Sequence, residues 1–211
     1  LPIAPLPAGW IEDALRPATP EEAVRAFSVW GGVPRYWELA GDWPDLLTAV
    51  RHLVLSPLGA LAEEPTRLLL DDLRDTTQAA SILSLIGQGW HRISEIAGRL
   101  GQLATKLSRP LQRLLEMGLV KREQPYGESA RTGSKRSLYK IDDPFLRFWF
   151  RHVEPNRSRL GAGLLDAVQA EVEVRLPHHV GDIWEELARA SVASLDLAGR
   201  SWQPAGRWWG P

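Results

Sequence analysis

The side chains in this sequence best suited to chemistry are cations. Lys106, Arg109 and Arg113, with Thr105 and Gln112 among them, recur at helical spacing, and Arg131, Lys135 and Arg136 cluster in a polar stretch further on. Guanidinium and ammonium groups at that density suit phosphate: they neutralise backbone charge and release its counterions. Other constellations promise less. His178 and His179 are adjacent, so they point apart on a helix or strand, and no third ligand accompanies them. Asp71-Asp72 and Asp142-Asp143 read as helix-end charges rather than catalytic pairs, and Glu185 and Glu186, taken alone, as solvated charges on a helix. No GxxxxGK[ST] loop is present, and Gly31-Gly32 lacks the strand–turn–helix context of a dinucleotide site. No Ser/His/Asp set follows a local motif. The absence of cysteine excludes disulfides, Cys-ligated zinc, iron–sulfur clusters and thiol catalysis.

The formal net charge of −1 over 211 residues averages unlike segments. Residues 1–75 carry net −6, residues 76–120 net +3, residues 121–159 net +5 and residues 160–211 net −3. The middle of the chain is thus a basic block between acidic flanks. Such a block is either an electrostatic footprint for nucleic acid or a surface that the flanks neutralise. The 10 Trp outnumber the 4 Phe and 3 Tyr, which invites a base-stacking reading. Only Trp90 and Trp149 fall in or beside the basic block, so the excess is expected to serve packing. No apolar run approaches the roughly 18 residues of a membrane span, and no basic–apolar–cleavage pattern opens the chain. A cytoplasmic setting is expected. A sequence opening on Leu1 and closing on Gly210-Pro211 is expected to be part of something longer.

The elements that must position these residues are mostly helices. Residues 1–20 read as a proline-rich lead-in, and Thr19-Pro20-Glu21-Glu22 opens a helix that Gly31-Gly32-Val33-Pro34 breaks. Leu46, Leu47, Val50, Leu53 and Val54 keep helical spacing, and Leu61 to Leu73 continues as helix after Pro57-Leu58-Gly59. Three helices are expected between residues 76 and 117. Leu107, Leu111, Leu114 and Leu115 form the inward face of the third, Gly118 ends it, and Pro110 marks either its first turn or a kink. Residues 119–123 and 137–141 alternate as strands about a basic turn at 127–137. Three helices followed by a hairpin with a basic tip is the layout of a winged helix-turn-helix. Its third helix would present Thr105, Lys106, Arg109, Gln112 and Arg113, and its wing Arg131, Lys135 and Arg136, to DNA. The same layout also serves as a protein-interaction module. Beyond it, residues 145–150 (FLRFWF) read as a buried helix capped by Asp142 or Asp143, with Arg147 and Arg151 on one exposed face. Residues 160–176 and 181–195 read as two helices separated by a loop at Pro177-His178-His179, and the tail from Gly199 as one strand.

In combination these stretches resemble the archaeal-type ATPases, which join a P-loop AAA-like core to a winged helix and a C-terminal domain similar to PD-(D/E)xK nucleases. The likeness rests on residues 29–37 (VWGGVPRYW), 94–101 (SEIAGRLG), 111–125 (LQRLLEMGLVKREQP), 139–153 (YKIDDPFLRFWFRHV), 181–192 (GDIWEELARASV) and 206–210 (GRWWG). It implies a mainly α (α+β) chain: a helical lid remnant over residues 1–75, a winged helix-turn-helix over 76–141 and an incomplete α/β nuclease-like part over 142–211. The family's nucleotide motifs and its Asp…Glu-x-Lys metal core find no match here. By resemblance ATP and Mg belong to the parent protein, and this stretch is expected to hold no cofactor and to catalyse neither ATP hydrolysis nor DNA cleavage. Glu185 matches the helix glutamate that assists a metal in the family, and Arg35 lies where such lids face the nucleotide. The implied partners are DNA and the ATPase core, with oligomerisation through the parent and no membrane.

Overall fold

A computed structural model describes residues 4–72, 76–127, 136–196, 199–203 and 205–209. The chain is mainly α with one small antiparallel hairpin, as the sequence implies. The N-terminal part holds α1 (Trp10–Leu15), α2 (Pro20–Trp30), α3 (Pro34–Gly41), α4 (Leu46–Val50) and α5 (Glu64–Asp72). The expected lead-in therefore contains a helix, α1, whose Ile11 is buried. Thr19 caps α2 by accepting from the Glu22 N–H at 3.2 Å, with Pro20 in the first turn. Gly31 takes φ +61°, which an L side chain rarely adopts, and a Cβ at Gly32 would overlap the backbone at Leu6, whose N–H donates to the Gly32 carbonyl at 2.8 Å. The Gly-Gly pair thus lets the lead-in close against the α2–α3 turn. After α4 the chain runs through a π-helical turn, Arg51–Leu55, so the Leu46–Val54 periodicity continues in a wider coil.

The segment expected to be a winged helix holds α6 (Thr76–Gly87), α7 (Ile93–Arg99), α8 (Ala104–Glu116), β1 (Val120–Glu123) and β2 (Leu138–Ile141). Ile82, Leu83 and Ile86 of α6, Ile96 of α7, and Leu107, Leu111 and Leu114 of α8 are buried together with Val120 and Ile141. The strands pair antiparallel with Val120 opposite Ile141 and Glu123 opposite Leu138. Tyr139 N–H donates to the His91 carbonyl at 2.8 Å, so the α6–α7 loop lines the free edge of β2. Pro110 stands inside α8, which starts well before it. The turn expected at 127–137 falls mostly on residues 128–135, outside the described residues.

Asp143 caps α9 (Pro144–Phe148), accepting from the Leu146 N–H at 2.8 Å, and a π-helical turn (Trp149–Val153) follows. Phe145, Phe148, Trp149 and Phe150 are buried, as expected for this aromatic run. A short α10 (Arg157–Gly161) leads to α11 (Leu165–Ser191), which passes through Pro177 without a break. The expected loop at Pro177-His178-His179 is thus helix. Val168, Val172, Leu176, His179 and Ile183 are all buried along one stripe, which holds the helix in register. Proline's missing N–H deprives only the carbonyl of exposed Glu173, which water can serve. The tail from Gly199 is irregular apart from one bridge residue, Arg200, so the expected strand is not formed among its described residues. Buried apolar side chains form one contiguous core from Ile11 to Leu176.

Candidate nucleic-acid interface

Helix α8 separates its charges from its core by simple geometry. At 100° per residue, Thr105, Lys106, Arg109, Gln112 and Arg113 fall within an arc of about 120°, while Leu107, Leu111 and Leu114 centre on the opposite side. The structure places all five polar residues in the exposed class and all three leucines in the buried class. The predicted contact residues of α8 therefore share one solvent face. Gln112 Nε2 donates to Glu116 Oε1 at 3.0 Å, which fixes the end of that face. Arg131 and Lys135 lie outside the described residues. Arg136 is exposed, and its carbonyl accepts from Trp209 Nε1 at 3.1 Å, so the tail meets the base of the wing.

Much of the remaining basic block is engaged internally. Arg147, expected on an exposed face, is buried. It donates to the Ile141 carbonyl from Nη2 at 2.6 Å and grips Glu186 through Nη1 and Nη2 at 3.0 and 3.1 Å. Lys121 Nζ lies 2.7 Å from the same carboxylate and 3.0 Å from Asp142. Lys140 Nζ lies 3.0 Å from Glu123, and Arg189 Nη2 3.4 Å from Glu123. Arg151 pairs with Asp182 at 2.8 Å, Arg157 with Glu63 at 2.6 Å and Arg159 with Glu171 at 2.7 Å. Neither Arg147 nor Glu186 is the solvated charge its local sequence suggests, because α11 lies across the hairpin and delivers Glu186 into its stem. Burial alone would push the Glu186 carboxyl up; Arg147 and Lys121 outweigh it and hold it at about 2. Glu123 is likewise raised by burial but held below its ordinary value by Lys140 and Arg189. This cluster is what sequence reasoning missed. Glu186 lies 39 residues from Arg147 and 65 from Lys121, so no local spacing could reveal the pairing.

The residues assigned by resemblance sit as follows. Arg35 is exposed in the first turn of α3, 3.0 Å from Glu38. Glu185 lies between Arg189 and Arg207 at 3.6 and 3.5 Å. Among the described residues no group of three His, Cys, Asp or Glu side chains could hold a metal ion. Of the tryptophans, Trp30, Trp37 and Trp149 are core, Trp43 stacks on His52 with centroids 4.3 Å apart, and Trp90 carries the Arg99 guanidinium 3.3 Å above its ring. Trp10, Trp184, Trp202 and Trp208 are exposed, so packing accounts for only part of the excess. The side chains of Asp71 and Asp72 lie outside the described residues. Among these residues no helix is long and apolar enough to cross a membrane.

Residues 149–210 match the DUF234 family, described as archaeal and bacterial proteins of unknown function. The chain is 27% identical over 214 residues to an uncharacterized protein of Methanocaldococcus jannaschii, an alignment covering 99% of this chain and 47% of that protein. The chain thus spans about half the length of the curated relative it matches. No solved structure matches it. The sequence is therefore similar to an archaeal protein twice its span, and its C-terminal third to a family shared by archaea and bacteria.

Proposed function

We propose that this chain is the nucleic-acid-binding portion of a larger protein, with α8 facing the duplex and the wing contacting phosphate. The observation that carries this reading is the α8 face: the five polar residues expected at DNA share one exposed arc. The contacts assigned are electrostatic, and no base-specific contact is named among them. Six cations, Lys106, Arg109, Arg113, Arg131, Lys135 and Arg136, correspond to a log–log salt slope of about −5. Replacing the three on α8 with Ala weakens duplex binding and flattens that slope by about 3. An unchanged affinity and slope would contradict the assignment.

The whole protein, on this reading, couples an ATPase core that binds ATP and Mg to this module. The order of the motifs shared with archaeal-type ATPases supports that view, and the half-length coverage of the archaeal relative leaves room for such a core. This chain supplies neither turnover nor cleavage, and ATP hydrolysis by purified residues 1–211 above background would overturn that statement. A second reading, an interaction module packing on the core or a partner, is favoured by an apolar groove between α2 and α11. Val24, Leu176, Val180 and the exposed Trp184 line it. That reading predicts no duplex binding at physiological salt and a stable complex with the rest of the protein.

A further inference from the structure

A cavity of about 380 Å3 lies where β2, the α6–α7 loop, the turn after α9, α11 and the tail converge. Its size falls in the range of small-molecule sites. Its wall is built from residues far apart in the chain, and several of its polar groups are not used up by the fold. Arg151 Nη1 is buried and ion-paired 2.8 Å from Asp182 Oδ2, but its N–H meets no acceptor in hydrogen-bond geometry among the described residues. His91 spends Nδ1 on the Tyr139 carbonyl at 3.0 Å, which leaves its other ring nitrogen for a ligand. From the tail, Arg207 contributes a guanidinium held only loosely, 3.5 Å from Glu185 through Nε. His178 faces the cavity from the exposed side of α11. The indole of Trp208 is 72% exposed at the cavity wall, an unusual position for so large an apolar ring.

The tail is held in place there. Tyr126 N–H donates to the Arg207 carbonyl at 2.8 Å, Trp209 Nε1 to the Arg136 carbonyl at 3.1 Å, and a Cβ at Gly206 would overlap the Tyr126 ring. Two arginines, two imidazoles and a planar ring in one cavity are the recognition chemistry of a phosphate attached to a base. We infer that this cavity binds a nucleotide phosphate, with Arg151 and Arg207 on the phosphate and Trp208 against the base. The field at His91 agrees with an anionic occupant. Burial lowers its protonation first, the Tyr139 carbonyl opposes this, and Lys140, Arg151 and Arg147, each ion-paired, add to the lowering. Asp182 is the one carboxylate on the wall among the described residues and competes for Arg151.

The nucleotide could be a free mononucleotide or the 5′ end of a strand, and the test separates them. Binding of AMP, adenosine, inorganic phosphate and a 5′-phosphorylated trinucleotide is measured by calorimetry on the intact chain. AMP or the phosphorylated trinucleotide is expected to bind and adenosine to bind far more weakly; whichever binds names the source. Arg207→Gln weakens binding at least about tenfold, the loss expected for one charge-assisted hydrogen bond. Asp182→Asn tightens it by releasing Arg151, a gain that a merely structural role would not produce. Should Arg151→Gln fail to fold, these two variants still decide. Changes on α8 leave this binding untouched, so its fate is separate from that of the duplex interface. Absence of binding by every probe, adenosine binding as well as AMP, or indifference to Arg207→Gln would each overturn the inference.

Discussion

At the scale of single residues, the structure turns on paired charges and on buried imidazoles. Glu186 neutralises Arg147 and Lys121 inside the hairpin stem. Removing one partner of such a pair strands the others, at a cost of about 3–5 kcal/mol when fully buried and less here, where Glu186 keeps 15% of its side-chain exposure. Glu186→Gln is therefore expected to lower the melting temperature by several degrees, while Glu185→Gln, on the half-exposed side, changes it little. His152 and His179 lie behind this cluster with Nε2 and Nδ1, respectively, lacking hydrogen-bond partners among the described residues. Burial first, then Arg151, lowers His152 to about 3, and burial lowers His179 well below its ordinary value. Both are neutral when folded but charge when unfolded below pH about 6.5, so the unfolded state takes up the extra protons and stability falls with pH. Asp143 opposes this, since burial raises it to about 6 and the folded state takes up its proton first. Since the depressed imidazoles, His91 among them, outnumber the single raised carboxyl, stability is expected to fall as the pH is lowered from about 6 to 4. Chemical denaturation across that range checks it, and a flat profile would contradict the neutral buried imidazoles.

At the scale of elements, the parts read correctly from the sequence are those whose signal is local. The leucine stripe of α8, the strands β1 and β2 themselves, and the Thr19 and Asp143 caps all act within a few residues. The errors fall where distant packing overrides a local rule. Pro177 signals a break, yet the buried stripe from Val168 to Ile183 carries α11 through it. Arg147 and Arg151 are spaced for an exposed face, yet α11 covers that face and supplies Glu186 and Asp182. The candidate site divides the same way: the α8 face follows from 3.6-residue periodicity, whereas the Glu186 cluster and the cavity under the tail need the tertiary fold. Contact between elements also constrains α6. A Cβ at Gly87 would lie 2.7 Å from the Cβ of Phe150, so Gly87→Ala must push α6 off the turn after α9. A destabilisation of about 1–3 kcal/mol is expected from such overpacking. Urea unfolding measures it, and Gly98→Ala, which meets nothing, serves as the control.

At the scale of the whole molecule, the near-zero net charge conceals a division of labour. Acidic flanks do neutralise part of the basic block, through Glu186, Asp182, Glu63 and Glu171. The α8 arc is among the basic surfaces that face solvent. The central claim is that this arc binds the phosphates of a duplex. It is tested most directly by titrating salt against the affinity of the chain for random-sequence duplex DNA. The account predicts a log–log slope of about −5, falling by about 3 when Lys106, Arg109 and Arg113 become Ala, with folding unchanged. A protein that ignores DNA at physiological salt, or one whose slope survives those substitutions, would contradict it.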